Sequence, residues 1–225
     1  MSRPFDLSLY LVTDEDLAGP RGVVETVRAA IDGGVTLVQH RFKQGSTRDF
    51  VATASALVDL LRPRGIPLII NDRVDVALAV DADGVHVGQS DMRVAKVREL
   101  IGPDRILGLS AAQMHELTPE ELGPIDYLGV GPVFATSTKP NAPDPIGFEH
   151  LGRVKRTVGL PVVAIGGLKP EHVEPTLAAG ADGLAIVSAI IAAEDPAAAA
   201  RDFPPASPAF AANRLTFSNS EQVLP

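Results

Sequence analysis

Pro161-Val-Val-Ala-Ile-Gly-Gly-Leu-Lys-Pro-Glu-His-Val-Glu-Pro-Thr-Leu-Ala-Ala-Gly-Ala-Asp-Gly-Leu-Ala-Ile-Val-Ser188 reads as one strand, one helix and a second strand. The first apolar run stops at Gly166-Gly167, and Gly180 sits where a helix would end and its chain turn back into the run Gly183–Ser188. Two short aliphatic runs joined this way pair in parallel, because the helix between them is long enough to carry the chain back to the same edge.

The unit repeats toward the N-terminus. Further runs are Leu7-Ser-Leu-Tyr-Leu-Val-Thr13, Thr36-Leu-Val-Gln-His-Arg-Phe42, Pro67-Leu-Ile-Ile-Asn71, Gly84-Val-His-Val87, Ile106-Leu-Gly-Leu-Ser110 and Tyr127-Leu-Gly-Val-Gly131, making eight candidate strands in all. Between them Val23, Val27, Ala30 and Ile31 share a helical face, as do Phe50, Ala54, Leu57, Val58 and Leu61. Gly33-Gly34, Gly65 and Gly102 punctuate the remaining helix ends. The pattern predicts an α/β chain folded as a single (β/α)8 TIM barrel over residues 1–203, with an open doubly wound sheet as the structural rival. Pro119 and Pro124 interrupt the fifth helix, around Gln113 to Leu122, and the eighth is short, Pro196 to Phe203. Residues 204–225 form a Pro-rich tail that is expected to be poorly ordered.

Composition narrows what such a barrel does. The 225 residues carry a formal net charge of −8, so neither nucleic acid nor an anionic membrane surface is an expected partner, and an anionic ligand must be held by local cations. Absence of cysteine excludes disulfides, thiolate nucleophiles and cysteine-ligated zinc. The N-terminal segment lacks a charged stretch followed by a long apolar one, and the apolar run Gly183–Ala193 falls short of the roughly 20 residues that span a bilayer. A cytoplasmic location is the expectation, and self-association into a homo-oligomer is compatible with it.

A barrel of this kind carries its site where strands end. The second run ends in Gln39-His-Arg-Phe-Lys43, whose alternation puts Gln39, Arg41 and Lys43 on one face and His40 and Phe42 on the other, toward the helices. An amide and two cations together suit a diphosphate attached to a hydrogen-bonding heterocycle. Asn71-Asp72 and Gly88-Gln-Ser-Asp91 bring two carboxylates to the same rim, the oxygen chemistry that Mg²⁺ prefers; Asp72 read alone is more readily a helix cap, but paired with Asp91 beside Arg41 and Lys43 it is not. Ser110 closes the fifth run. The loop Gly129-Val-Gly-Pro-Val-Phe-Ala-Thr-Ser-Thr-Lys-Pro140 gathers hydroxyls around Lys139, and Gly166-Gly167 with Val187-Ser188 fit a phosphate held by backbone N–H groups. Among the histidines, His115, His150 and His172 are expected to be solvated; only His86 could point into the barrel, with a structural role.

Taken in order, Gln39-x-Arg41-x-Lys43, Asn71-Asp72, Gly88-Gln-x-Asp91, Gly108-x-Ser110, Gly129-x-Gly-Pro-x-Phe-x-Thr136-x-Thr138-Lys139, Ala164-Ile-Gly-Gly167 and Val187-Ser188 resemble thiamine-phosphate synthase, over about Leu9 to Ala193. The resemblance implies a transferase that joins 4-amino-2-methyl-5-hydroxymethylpyrimidine diphosphate to a (carboxy)thiazole phosphate, releasing pyrophosphate with one Mg²⁺ per site. It assigns Gln39, Arg41, Lys43 and Asn71 to the pyrimidine diphosphate, Ser110 to the pyrimidine and Asp72 and Asp91 to the metal. His40 and Phe42 are retained within that same binding segment. Thr136, Ser137, Thr138, Gly167, Val187 and Ser188 fall to the thiazole phosphate; Lys139, with Arg41, Lys43 and Ser110, falls to catalysis. His40 and Phe42 depart from the residues usual in the family, as does the C-terminal tail. Rival readings are the related thiazole tautomerase, disfavoured by Pro132, a non-catalytic homologue that binds thiamine phosphate, and an unrelated phosphate-binding barrel.

Overall fold

Eight short strands alternate with helices in the computed structural model, which describes residues 5–138 and 143–203. The strands are β1 (Leu9–Val12), β2 (Leu37–His40), β3 (Leu68–Asn71), β4 (Gly84–Val87), β5 (Ile106–Ala111), β6 (Tyr127–Val130), β7 (Val162–Ile165) and β8 (Gly183–Ile186). The helices are α1 (Glu15–Ala18), α2 (Val23–Asp32), α3 (Thr47–Leu61), α4 (Val74–Ala79), α5 (Val94–Ile101), α6 (Pro119–Leu122), α7 (Gly147–Thr157), α8 (Val173–Ala178), α9 (Ser188–Ile191) and α10 (Pro196–Arg201). Each strand pairs in parallel with its sequence neighbours, and β1 pairs with β8, closing the barrel. The open-sheet rival is thereby excluded.

Most strands are shorter than their apolar runs. Arg41 and Phe42 lie beyond β2, and Gly166-Gly167 beyond β7, where the chain leaves its ladder partners for the loops. The interrupted fifth helix and the short eighth are present but small. In the fifth connection a 3₁₀ turn, Met114–Glu116, is followed by α6, with Pro119 in its first turn and the Thr118 side chain accepting from Glu121 N–H. The eighth is split into α9 and α10; a Cβ on Gly33, just past α2, would collide with Ala197 of α10, so that helix seats flush against the barrel's first helical layer. Residues 204–225, expected as a tail, lie outside the described residues.

Period-two alternation sorts the strand side chains into two cores. Leu11, Val38, Ile70 and Val85 point outward and pack with Val27, Phe50, Leu57 and Val97 of the helices, in the register foreseen for α2 and α3. Leu37, Ile69, Ile106 and Val163 point inward and form an apolar floor with Tyr10 and Tyr127. Below that floor, at the N-terminal end, three aspartates clamp successive strand pairs. Asp83, Asp126 and Asp182 immediately precede β4, β6 and β8 and accept from the N–H of Leu68 (2.9 Å), Leu107 (2.7 Å) and Val162 (2.7 Å). Each aspartate returns its own N–H to the carbonyl of the same residue, at 3.0, 2.8 and 2.7 Å. Arg98 joins Asp126 at 2.7 Å and Lys155 joins Asp182 at 2.6 Å. Above the floor the inward positions turn polar.

Candidate active site

A cavity of about 530 Å³ opens where the strands end. Gln39 reaches it from inside β2, 5% exposed, and its Nε2 donates to the Tyr10 hydroxyl at 2.8 Å. Arg41, one residue past the strand, is held at the rim by its own N–H donating to Thr13 Oγ1 (3.1 Å) and by Nη1 donating to Asp14 Oδ2 (3.2 Å). Burial pulls its guanidinium below the ordinary value while Asp14 and Asp72 pull the other way, so it remains a cation aimed at the cavity. Lys43 also lines the cavity.

Asn71 ends β3, and its Nδ2 donates to Asp72 Oδ2 at 2.6 Å. Asp72 has φ 61°, left-handed backbone that a non-glycine residue adopts at a cost, and this turn presents its carboxyl to the cavity rather than to α4, so the capping alternative fails. Burial first, and then the Asp91 carboxyl beside it, push Asp72 up to about 6, against the pull of Lys43 and Asn71. Asp91 is fixed by accepting the Gly88 N–H at 2.8 Å. Among the described residues there is no group of three or more His, Cys, Asp or Glu placed to hold a metal. What the rim offers is a crowded carboxylate pair, a donor set that fits a cation taking its other oxygens from water and a phosphorylated ligand.

The opposite wall is made of hydroxyls and backbone. Thr136 and Thr138 line it, Thr138 N–H donating to Thr136 Oγ1 at 3.3 Å. Gly166 (φ 99°) and Gly167 (φ 64°) follow β7; a Cβ on Gly167 would meet the Ala135 carbonyl at 2.5 Å, so only glycine lets this turn lie against the β6 loop. Val187 and Ser188 open α9, and the first N–H groups of that turn have no intrahelical acceptor.

Residues 9–190 match the family model described as "Thiamine monophosphate synthase". The chain belongs to the thiamine monophosphate synthase family. It is 54% identical over 201 residues to the thiamine-phosphate synthase of Azorhizobium caulinodans, an alignment that covers 89% of this chain and 95% of that one. With the enzyme of Albidiferax ferrireducens it shares 53% identity over 194 residues, covering 86% and 89%. Among solved structures it is similar to the thiamine phosphate pyrophosphorylase from Pyrococcus furiosus, with a TM-score of 0.79, 40% identity, and coverage of 88% of this chain and 93% of that one. A 3-hexulose-6-phosphate synthase, 16% identical with a TM-score of 0.59 and covering 88% and 98%, shares the fold alone.

The cavity gathers Gln39, Arg41, Lys43, Asn71, Asp72, Asp91, Ser110, Thr136, Thr138, Gly167, Val187 and Ser188. Two positions of the Gln39–Lys43 segment lie away from this lining. His40 is fully buried on the outer side of β2, its ring 5.0 Å from that of Phe50, and Phe42 stacks on Phe50 at 5.0 Å; neither lines the cavity, because alternation carries both toward α3. Ser137 is exposed between the two threonines and does not line the cavity either. Lys139 lies outside the described residues. His150 and His172 are half-buried rather than solvated, His172 stacking on Phe134 at 4.1 Å. The sequence reading missed Tyr10 as a cavity residue. An aromatic residue inside an apolar run reads as core, and the parallel β1–β2 pairing is what brings its hydroxyl to Gln39.

Proposed function

We propose that this chain is a thiamine-phosphate synthase, a transferase that joins the aminopyrimidine diphosphate to a thiazole phosphate and releases pyrophosphate. The observation that carries this reading is the two-sided rim: Arg41, Lys43 and the Asp72–Asp91 pair on one side of a single cavity, Thr136, Thr138, Gly167 and Ser188 on the other. One side suits a diphosphate and the other a phosphate monoester, with room between them for two heterocycles.

Gln39 and Ser110 orient the pyrimidine, and Asn71 fixes the Asp72 carboxyl. Asp72 and Asp91 would hold one Mg²⁺, which when bound supplies positive charge at the diphosphate. As the methylene–oxygen bond breaks, the electron pair leaves with pyrophosphate; Arg41 and Lys43 meet the charge that builds on its oxygens, with Lys139 assigned to the same task from the resemblance. The thiazole nitrogen donates its lone pair to the methylene carbon, forming the new carbon–nitrogen bond and a thiazolium. Thr136, Thr138, Gly167, Val187 and Ser188 hold the thiazole phosphate so that this nitrogen faces the carbon. No proton need be taken up or lost in this step.

The reading is tested by mixing the purified protein with both substrates and Mg²⁺ and following thiamine phosphate and pyrophosphate together. Equimolar appearance of both is the expected result. A folded protein that binds thiamine phosphate and forms neither product would replace the transferase reading with that of a binding protein.

A further inference from the structure

The inward-facing polar side chains above the apolar floor form one continuous chain. Gln39 Nε2 donates to Tyr10 Oη at 2.8 Å; Tyr10 Oη and Tyr127 Oη are 2.8 Å apart; Tyr127 Oη and His86 Nδ1 are 2.8 Å apart; His86 Nε2 and Ser110 Oγ are 2.8 Å apart. Tyr10 and Tyr127 are each no more than 1% exposed, and His86 is 7% exposed. Room has been cleared for the chain: a Cβ on Gly108 would collide with both Tyr127 and His86, and one on Gly129 would come within 3.2 Å of the His86 ring. The ends of the chain, Gln39 and Ser110, are the two cavity groups assigned above to the pyrimidine.

Hydrogen-bond polarity passes along such a chain, because each hydroxyl has one proton to give and a neutral imidazole has one donor and one acceptor. Burial pushes both phenols above their ordinary range, so they stay protonated and each supplies one O–H. Tyr10, having accepted from Gln39, gives its proton to Tyr127. Tyr127, having accepted, gives its proton to Nδ1 of His86. The imidazole then carries its hydrogen on Nε2 and donates it to Ser110, whose own hydroxyl proton is left to point into the cavity. At the other end Gln39 Oε1 is left as an acceptor.

We propose that Tyr10, Tyr127 and His86 are positioning residues: a buried relay that fixes the His86 tautomer and so makes Ser110 a hydrogen-bond donor and Gln39 an acceptor toward the heterocycle. The site would select a ring that places an acceptor nitrogen opposite Ser110 and an N–H donor opposite Gln39, a pattern an aminopyrimidine supplies. This selectivity rests on the proposed function; the tautomer itself does not.

The test therefore begins on the free protein, where turnover plays no part. Histidine ¹⁵N correlation spectra of the whole chain, with the His86 signal assigned by its loss in His86→Gln, report which ring nitrogen carries the proton. The expected result is a single Nε2–H tautomer in the native chain and a mixture in Tyr10→Phe, which keeps the ring but removes the hydroxyl that sets the polarity. Nδ1–H in the native chain, or an unchanged Nε2–H in Tyr10→Phe, would overturn the relay; Tyr127→Phe serves in place of Tyr10→Phe if the latter does not fold. The second arm compares the pyrimidine substrate with its analogue in which the ring nitrogen facing Ser110 is replaced by CH. The native chain should discriminate about tenfold or more in kcat/KM, since the analogue leaves the Ser110 hydroxyl proton without an acceptor in the occupied cavity. The ratio should shrink several-fold in Tyr10→Phe, while a variant acting only through stability would keep it. Turnover absent in every arm with the tautomers as expected refutes the functional reading and leaves the relay standing.

Discussion

The two ends of this barrel use the same residue type to opposite purposes. At the N-terminal end Asp83, Asp126 and Asp182 are each clamped to a neighbouring strand, two of them also joined to Arg98 or Lys155. At the C-terminal end Asp72 and Asp91 face each other, and burial and that neighbour push Asp72 up to about 6. The lower aspartates lie on ordinary backbone, whereas Asp72 sits at φ 61°. An aspartate given backbone N–H donors and a cation closes a barrel; one given another aspartate is left with electrostatic repulsion that a bound cation can relieve. The division matches the separation of stability and chemistry between the two faces of such barrels.

The strongest way to break the comparison is Asp72→Ala. If the upper aspartate serves chemistry, turnover should fall roughly a thousandfold or more, because charge on the leaving group loses its stabilisation. The folded state should change little, since relief of the crowded charge offsets the cost of placing alanine in a left-handed turn. Steady-state rates at saturating Mg²⁺, beside a urea unfolding curve, give both numbers; an unchanged rate would remove Asp72 from the cation site.

A second, smaller effect separates the inner and outer sides of the same upper end. His40 points out of the barrel into a dry layer, where Thr13 Oγ1 accepts from the Arg41 N–H and has its own proton to give to His40 Nδ1 at 3.0 Å. Burial lowers His40 from its ordinary 6.5 to about 4. The unfolded chain therefore binds the extra proton first, and stability falls as pH drops from about 6.5 to about 4, by roughly 3 kcal/mol from this group alone. Glu15, whose Oε1 is 3.8 Å from His40, is pushed up to about 7 by burial and acts in the opposite sense, losing its contribution as pH rises from 4.5 through 7. In His40→Phe the acid-side loss should disappear while the Glu15 slope remains. Urea midpoints across that pH range measure it, and an unaltered acid slope would mean that His40 is already protonated in the folded protein.

These differences show what a linear sequence carries. The eight strands were legible because short aliphatic runs bounded by glycine recur with helical faces between them, and the rim residues followed because a closed parallel barrel brings every strand end to one side. Element boundaries were less legible: β2 stops at His40, two residues before its β-prone run does, since pairing ends where the loop begins. The alternation of Gln39, Arg41 and Lys43 was readable, and so was its corollary that His40 and Phe42 face the helices, away from the cavity lining. Nothing local links Tyr10 to Tyr127, 117 residues away, or gives Asp72 a left-handed backbone. The tyrosine contact comes from closure of the barrel, the Asp72 turn has no sequence signal of its own, and tyrosine in an apolar run has no signature that separates a buried hydroxyl with partners from plain core.

The gentlest test is at the lower end, with Asp126→Ala. The Asp126 side chain is 11% exposed, accepts from Leu107 N–H and Arg98, and has no path to the cavity except through the apolar floor. Its loss strands a buried N–H and a mostly buried guanidinium at the start of the β5–β6 pairing. A destabilisation of about 2 kcal/mol is expected, below the full range for a broken buried pair because Arg98 also donates to the carbonyls of Pro124, Gly102 and Arg105. Because the floor of Leu37, Ile69, Ile106 and Val163 separates it from the polar layer, kcat and KM should stay within about twofold of native where the protein is folded. A variant that kept its stability and lost activity would mean that the floor transmits the clamp to the site, and the two ends of the barrel would no longer be separable.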